Sequence, residues 1–176
     1  MTAWESEFFI PQQTDKSFMV PLIPATLAGL PAKPDIAPGN IFQNSNIPYK
    51  FANIKAVCRR LETTPFRPSW IRAPGRMQNT YANEVFIDEC AAAAGADPVE
   101  YRLRYLTDPR GIAVLRAAAS MAKWEPRPSP RREQSGTIAR GRGIAYVKYE
   151  NARTYCAGVA EVEVNRQSGA IRCTRR

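Results

Sequence analysis

Histidine is absent from the 176-residue chain. That gap removes Ser-His-Asp and Cys-His nucleophilic catalysis, imidazole acid–base work and histidine ligation of zinc. Cysteine is scarce as well. Cys58, Cys90, Cys156 and Cys173 stand far apart, with no Cys-x-x-Cys pair and no spacing suited to zinc or an iron–sulfur cluster. Scattered single cysteines read as small buried hydrophobes of a reducing compartment, so a cytoplasmic location is expected. No charged-then-apolar leader opens the chain, and no apolar run reaches the roughly 20 residues of a bilayer span. No membrane partner is expected.

What the chain has in excess is proline and positive charge. Ten of the 15 prolines precede residue 75 and three more fall at 126–130, which marks those stretches as extended or looped. The net charge is +9, with arginine ahead of lysine. Such a balance suits nucleic acid, an anionic cofactor or an acidic partner, and also occurs on surfaces that bind nothing. The arginines are spread along the chain, and no zinc finger, RNP-like run or basic helix accompanies them. A basic nucleic-acid or anion-binding module is therefore the alternative reading, and nucleic acid is not the expected partner.

The periodicities predict an α+β fold. A short strand is expected around Phe8–Ile10, followed by proline-rich chain in which Leu22, Ile23, Leu27, Leu30, Ile41 and Phe42 keep returning, as in an ordered segment draped over a neighbouring surface. Asn53–Glu62 reads equally as strand or helix. A helix is expected from an Asn79 or Thr80 cap to Ala94, with Gly95 as its stop. Its apolar stripe would be Ala82, Phe86, Cys90 and Ala93/Ala94, flanked by Val85. Glu84 and Asp88, four apart on this helix, repel unless an arginine from elsewhere pairs with them; a structural ion pair is the favoured role. Asp97-Pro98 with Glu100, and Thr107-Asp108-Pro109, are two further helix starts. Ile112, Leu115, Ala119 and Ala122 form the buried stripe of the last helix. Beyond a connector after Trp124, "RGRGIAYVKYE" and "TYCAGVAEVEV" read as strands, with Glu161 and Glu163 facing opposite to Ala160, Val162 and Val164. "NRQSGA" is a hairpin turn into a last strand. One hairpin beside three short helices gives a thin core, so the chain is expected to be an incomplete piece of a larger protein. The expected divisions are a proline-rich segment at 1–64, a loop with three helices at 65–125, a linker at 126–139 and a truncated β-hairpin at 140–176.

The stretch "WIRAPGRMQN", Trp70–Asn79, carries the chemistry. Arg72 offers a planar bidentate donor. Pro74 fixes one dihedral, and Gly75 permits positive φ or a close backbone approach. A helix start follows, directing amide N–H groups and the positive dipole end back at the loop. Gln78 adds a neutral donor and acceptor. The set suits an extended anion gripped partly through the backbone; a basic loop placed there for structural reasons fits equally well.

The run "TPFRPSWIRAPGRMQNTYANEVFIDECAAAAGADPVEYRL", its continuation to Trp124 and the strands beyond resemble the molybdopterin-binding large subunits of the xanthine dehydrogenase/aldehyde oxidase family. The likeness is to the branch of isoquinoline 1-oxidoreductase, nicotinate dehydrogenase and aldehyde dehydrogenase large subunits, and it covers nearly the whole chain. It implies that Ile71, Arg72, Ala73, Gly75 and Gln78 face a molybdenum–molybdopterin cofactor, in its cytosine dinucleotide form. It also implies that Pro74 walls the substrate pocket, where purine-oxidising members hold an aromatic residue, which argues against a purine. Such enzymes hydroxylate an aldehyde or N-heterocycle with water as the oxygen source and pass electrons to iron–sulfur clusters on a small partner subunit. The family's Gly-x-Gly-Glu base segment and "GGGFG" loop do not occur in these 176 residues. The resemblance therefore assigns no catalytic residue and no direct metal ligand here. The large subunit's remaining segments become expected partners, the chain alone is expected to be inactive, and a periplasmic site stays open for the parent enzyme.

Overall fold

The computed structural model describes residues 1–11, 27–29, 42–61, 72–73, 75–130 and 134–175. They form an α+β structure of three helices and two small sheets. In order the elements are β1 (Ala3–Pro11), β2 (Asn53–Leu61), α1 (Arg76–Ala93), α2 (Pro98–Tyr105), α3 (Pro109–Met121), β3 (Ile138–Lys148), a 3₁₀ turn (Tyr149–Asn151), β4 (Tyr155–Asn165) and β5 (Ile171–Arg175).

The ambiguous stretch after Asn53 is a strand because it has a partner. β2 pairs in parallel with β1 in the register Ala3↔Asn53 through Pro11↔Leu61, so the first strand is nine residues long rather than a short piece. On one face of this ribbon Glu5 meets Lys55 and Glu7 meets Arg59. On the other, Trp4 is buried, stacked on Phe51 at 5.8 Å and edge-on to Phe86 at 5.2 Å. Of the proline-rich apolar residues, Leu27 and Phe42 are exposed, and Leu22, Ile23, Leu30 and Ile41 lie outside the described residues.

Both proline-marked helix starts form as their chemistry requires. The Asp97 carboxylate accepts from the Val99 and Glu100 amides, and its second oxygen accepts from Trp124 Nε1 at 2.9 Å and the Arg127 amide at 3.0 Å. One carboxylate thus caps α2 and holds down the chain leaving α3. Asp108 caps α3 through the Arg110 amide, while Lys148 Nζ (2.9 Å) and the Tyr155 hydroxyl (2.8 Å) donate to its other oxygen. Those hydrogen bonds, the one from Lys148 first, lower the Asp108 carboxyl to about 2.

β3, β4 and β5 form an antiparallel sheet in that order, and the predicted turn closes with Gly169 at φ 72°. The helices lie on one face of it. Leu115 and Ile87 are fully buried against Ile144, Tyr146, Val99 and Leu106, with Ile112 and Ala119 packed at the margin. Ala122 is buried too, which completes the stripe expected of α3. Burial of each large aliphatic contributes about 1.5–3 kcal/mol.

No disulfide forms among the described residues, and the cysteines are not interior. Cys58, Cys156 and Cys173 are exposed and Cys90 is half-buried, and the Cys58 thiol donates to the Ser45 hydroxyl at 3.4 Å.

Gly111 is required by a close approach. A Cβ there would collide with the Tyr146 hydroxyl oxygen and lie 2.9 Å from Cζ. That hydroxyl is buried with no hydrogen-bond partner among the described residues. Gly111→Ala is expected to cost about 1–3 kcal/mol by overpacking, and Tyr146→Phe, which removes an unsatisfied hydroxyl, to be neutral or stabilising. In urea unfolding, the pair together should recover part of the loss, since the ring carbon still lies 2.9 Å away; additive effects would sink this account. The lowered Asp108 carboxyl gives a pH test. Its folded-state value lies below its ordinary value near 3.8, so its contribution is present above that value and is lost as pH falls toward 2. Asp108→Asn should therefore flatten the stability profile between about pH 4 and pH 2, measured by thermal melts across that range.

Candidate functional site

The candidate loop begins where description resumes at Arg72. Arg72 is exposed, Ala73 and Gly75 are half-buried, and Gln78 is exposed in the first turn of α1. Ile71 and Pro74 lie outside the described residues. Ala73 holds φ 59° and Gly75 φ 72°. Glycine takes this conformation freely, whereas alanine pays roughly 1–2 kcal/mol for it. Strain of this kind is typical of ligand clamps and switch regions.

The helix starts earlier than its side-chain signals suggest. Gly75 is the cap, with no side-chain cap and no acidic residue in the first turn, and α1 runs from Arg76. Asn79 does not cap; it lies inside the helix and donates from Nδ2 to the Gln43 carbonyl at 3.0 Å. At the other end Gly95 takes φ 60° as the expected stop.

The buried face of α1 differs from the expected stripe. Ala82, Phe86 and Ala93 are exposed, whereas Asn79, Asn83, Glu84, Ile87 and Ala91 are buried. Polar side chains win this face because each finds a specific partner. Asn83 donates to the Asn44 carbonyl at 2.9 Å. Asn44, at φ 62°, donates to the Lys148 carbonyl and to Asn151 Oδ1 and accepts from the Glu150 amide. Asn151 returns a bond to the Asn46 carbonyl. This asparagine ladder ties the turn at 42–46, α1 and the end of β3 together directly behind the loop.

The second arginine of the loop is absorbed into that scaffold. Arg76 pairs with the half-buried Glu150 and lies 5.1 Å over the Tyr149 ring, and Arg153 pairs with the same carboxylate. Arg72 makes no ion pair among the described residues and faces solvent beside the uncapped helix start.

Glu84 and Asp88 do receive an arginine. Arg102 of α2 donates from Nε to Glu84 at 3.0 Å and from Nη1 to Asp88 at 2.6 Å, with further bonds to the Pro98 and Glu84 carbonyls. Glu84 also accepts from the Tyr49 hydroxyl at 2.7 Å and the Tyr146 amide at 2.8 Å. Burial pushes the Glu84 carboxyl up against these donors, and it pushes the Tyr49 phenol up as well. The recess beside Glu84, Thr80 and Asn83 encloses only about 10 Å³. That is room for about one water, so this carboxylate is structural and has no space for a substrate. Among the described residues, no His, Cys, Asp and Glu side chains converge as a metal-ligand set.

Sequence reasoning missed the asparagine ladder and the role of Arg76. The signal was available in the spacing Asn79, Asn83, Ile87, Ala91, a face every fourth residue that an apolar-only search passes over.

The sequence pattern of the molybdopterin cofactor-binding domain matches residues 28–106. A nicotinate dehydrogenase subunit of Pseudomonas putida is 40% identical over 136 residues, which is 73% of this chain and 11% of that protein. The beta chain of isoquinoline 1-oxidoreductase from Brevundimonas diminuta is 37% identical over 107 residues, 60% of this chain and 13% of that protein. A membrane-bound aldehyde dehydrogenase (pyrroloquinoline-quinone) of Gluconacetobacter polyoxogenes is 26% identical over 140 residues, 69% of this chain and 17% of that protein. The chain thus spans less than a fifth of the length of each relative. No helix among the described residues is long and apolar enough to cross a membrane.

Arg102→Ala is expected to lose about 3–5 kcal/mol, the cost of leaving a buried carboxylate unpaired. Adding Glu84→Gln should restore part of that stability, since a neutral amide still accepts from Tyr49 or the Tyr146 amide. Chemical denaturation of the three variants decides it; a loss under about 1 kcal/mol for the single change would reject the clamp.

Proposed function

Because the chain belongs to the xanthine dehydrogenase/aldehyde oxidase family and carries part of its molybdopterin cofactor-binding domain, we propose that it supplies one wall of a molybdenum hydroxylase site. The observation that carries this reading is the strained junction at Arg72–Gly75. An exposed guanidinium, a left-handed alanine and a glycine-capped helix start with no internal acid lie side by side there. The donor set fits an anionic pterin: Arg72 as a bidentate cation, backbone at Ala73 and Gly75 close to the ligand, and Gln78 as a neutral donor. The same reading assigns Ile71 to cofactor binding and Pro74 to the substrate pocket by their positions in the sequence. When bound, the molybdopterin supplies the oxidative chemistry, and this chain's residues contribute placement and charge.

The parent reaction is the hydroxylation of an aldehyde or N-heterocycle with water, electrons leaving to iron–sulfur clusters of a small partner subunit. The cofactor takes the cytosine dinucleotide form. Pro74 in place of an aromatic side chain disfavours a purine. The chain alone is inactive, since the Glu150 carboxylate beside the loop is committed to Arg76 and Arg153, and Glu84 is committed to Arg102. The module is assigned to the cytoplasm, with the periplasm open for the parent enzyme. A nucleic-acid role is not favoured: Lys55, Arg59, Arg76, Arg102, Arg140, Arg142, Lys148 and Arg153 all pair with carboxylates of the chain itself.

The test is to place this chain in the Pseudomonas putida nicotinate dehydrogenase subunit, in exchange for the aligned stretch, and to produce it in a molybdopterin-competent host. The chimaera should carry molybdenum and pterin, and the 176-residue chain alone should carry neither in stoichiometric amount. Arg72→Ala in the chimaera should lower both contents about tenfold or more, as loss of a charge-assisted hydrogen bond of about 1.5–3 kcal/mol requires. Unchanged metal and pterin content with an unchanged circular dichroism spectrum would reject the role of Arg72.

A further inference from the structure

The three-stranded sheet carries the charges of β3 and β4 on one face only, the face whose Ile144 and Tyr146 enter the core. An antiparallel sheet with helices on one side ordinarily keeps its apolar side chains under the helices and its polar ones toward water. Here Ile144 and Tyr146 of β3 are buried under the helices, so the alternate positions of β3 and their register partners on β4 fix both faces. The helix-side positions include Arg140, Arg142, Lys148, Glu161 and Glu163. Several of these charges have structural work there: Arg142 donates to the Ala122 and Lys123 carbonyls at the end of α3 and lies 5.0 Å over the Trp124 ring. The ten positions of β3 and β4 on the opposite face are all Ala, Gly, Val or Cys. The register extends this face to Ile171 and Cys173 on β5. It is open: Gly143, Ala145, Cys156, Gly158 and Ala160 are exposed, and a Cβ built on Gly143 or Gly158 meets nothing within 4 Å.

We propose that this outer sheet face is an internal docking surface, covered in the assembled enzyme by an uncharged, apolar element from the rest of a molybdopterin-binding large subunit. The inference rests on the family reading above. Two arguments choose that occupant over a second copy of the chain. The first is size. Two strands of 11 residues and one of five give a footprint of about 400 Å² at usual strand spacing. Stable complexes between separate molecules bury about 800 Å² per partner. Half that area suffices only for an element tethered at the millimolar effective concentration typical of one polypeptide. The second is supply. The relatives carry 83–89% of their length outside the region they share with this chain, as 17% and 11% shared leave 83% and 89%. The absence of any charge on the face demands an equally charge-free element opposite, because a desolvated charge would find no partner there.

Cys156 and Cys173 lie on this face and report on it directly. In the free chain both exposed thiols should be labelled to completion by N-ethylmaleimide without denaturant. In the nicotinate dehydrogenase chimaera both should slow at least tenfold, with full labelling restored in urea. Ala160→Arg should leave the melting temperature of the free chain unchanged within about 2 °C, and should abolish either the soluble yield or the thiol protection of the chimaera. Equal labelling in the free chain and the chimaera would overturn the proposal. So would a free chain that sediments as a dimer at micromolar concentration with protected thiols, which assigns the face to a second copy. An insoluble chimaera also counts against it, since the face then fails to fit the family's complementary surface. Molybdenum is scored separately. Protected thiols without metal would reject the cofactor reading and keep the docking surface, and metal with unprotected thiols would do the reverse.

Discussion

The structure turns on one buried carboxylate. Glu84 is gripped at once by Arg102 from α2, by the Tyr49 hydroxyl from the segment before β2, and by the Tyr146 amide from β3. Three stretches far apart in sequence are thereby pinned to α1. A buried ion pair of this kind contributes little net stability over an apolar alternative, because desolvation offsets most of the attraction. What it supplies is uniqueness: only one arrangement of these elements satisfies all the donors, and any slip leaves a charge unpaired in the interior.

That constraint explains how a strained loop persists on so small a core. The start of α1 is anchored from behind by the asparagine ladder and by Arg76 on Glu150, and its middle is anchored by Arg102. With the helix unable to recoil, Ala73 and Gly75 stay in left-handed conformations and Arg72 is left facing outward. The two other carboxylate hubs, Asp97 and Asp108, do for α2 and α3 what Glu84 does for α1. Each caps a helix with one oxygen and ties a distant segment with the other. Polar connections therefore organise the fold, and the modest apolar core fills the space between them.

The same logic reads the two faces of the sheet. Charges gather on the helix side, where helix ends and opposite-strand partners satisfy them, and vanish from the outer side. A face built for water would be expected to carry the reverse pattern. The positions of Cys156 and Cys173 follow from this, since small apolar side chains suit a surface meant for close approach. Their exposure in the chain and their apolar setting are thus one observation.

The amino-acid sequence alone determined the local events. Proline after aspartate set two helix starts, Gly95 and Gly169 set a stop and a turn, strict alternation set β3 and β4, and the Arg72–Gln78 stretch with its flanking helices marked the family. It also determined that Glu84 and Asp88 needed an arginine, because like charges four apart on a helix repel. Which arginine answered, and that asparagines would occupy the buried face of α1, only the tertiary structure decided. Those choices depend on partners 18 to 107 residues distant, such as Arg102 for Glu84 and Asn151 for Asn44. The same holds for β2, whose strand identity comes from pairing with β1 rather than from its own propensity. Short-range chemistry writes caps and turns into adjacent residues; buried polar contacts exist only once distant segments meet.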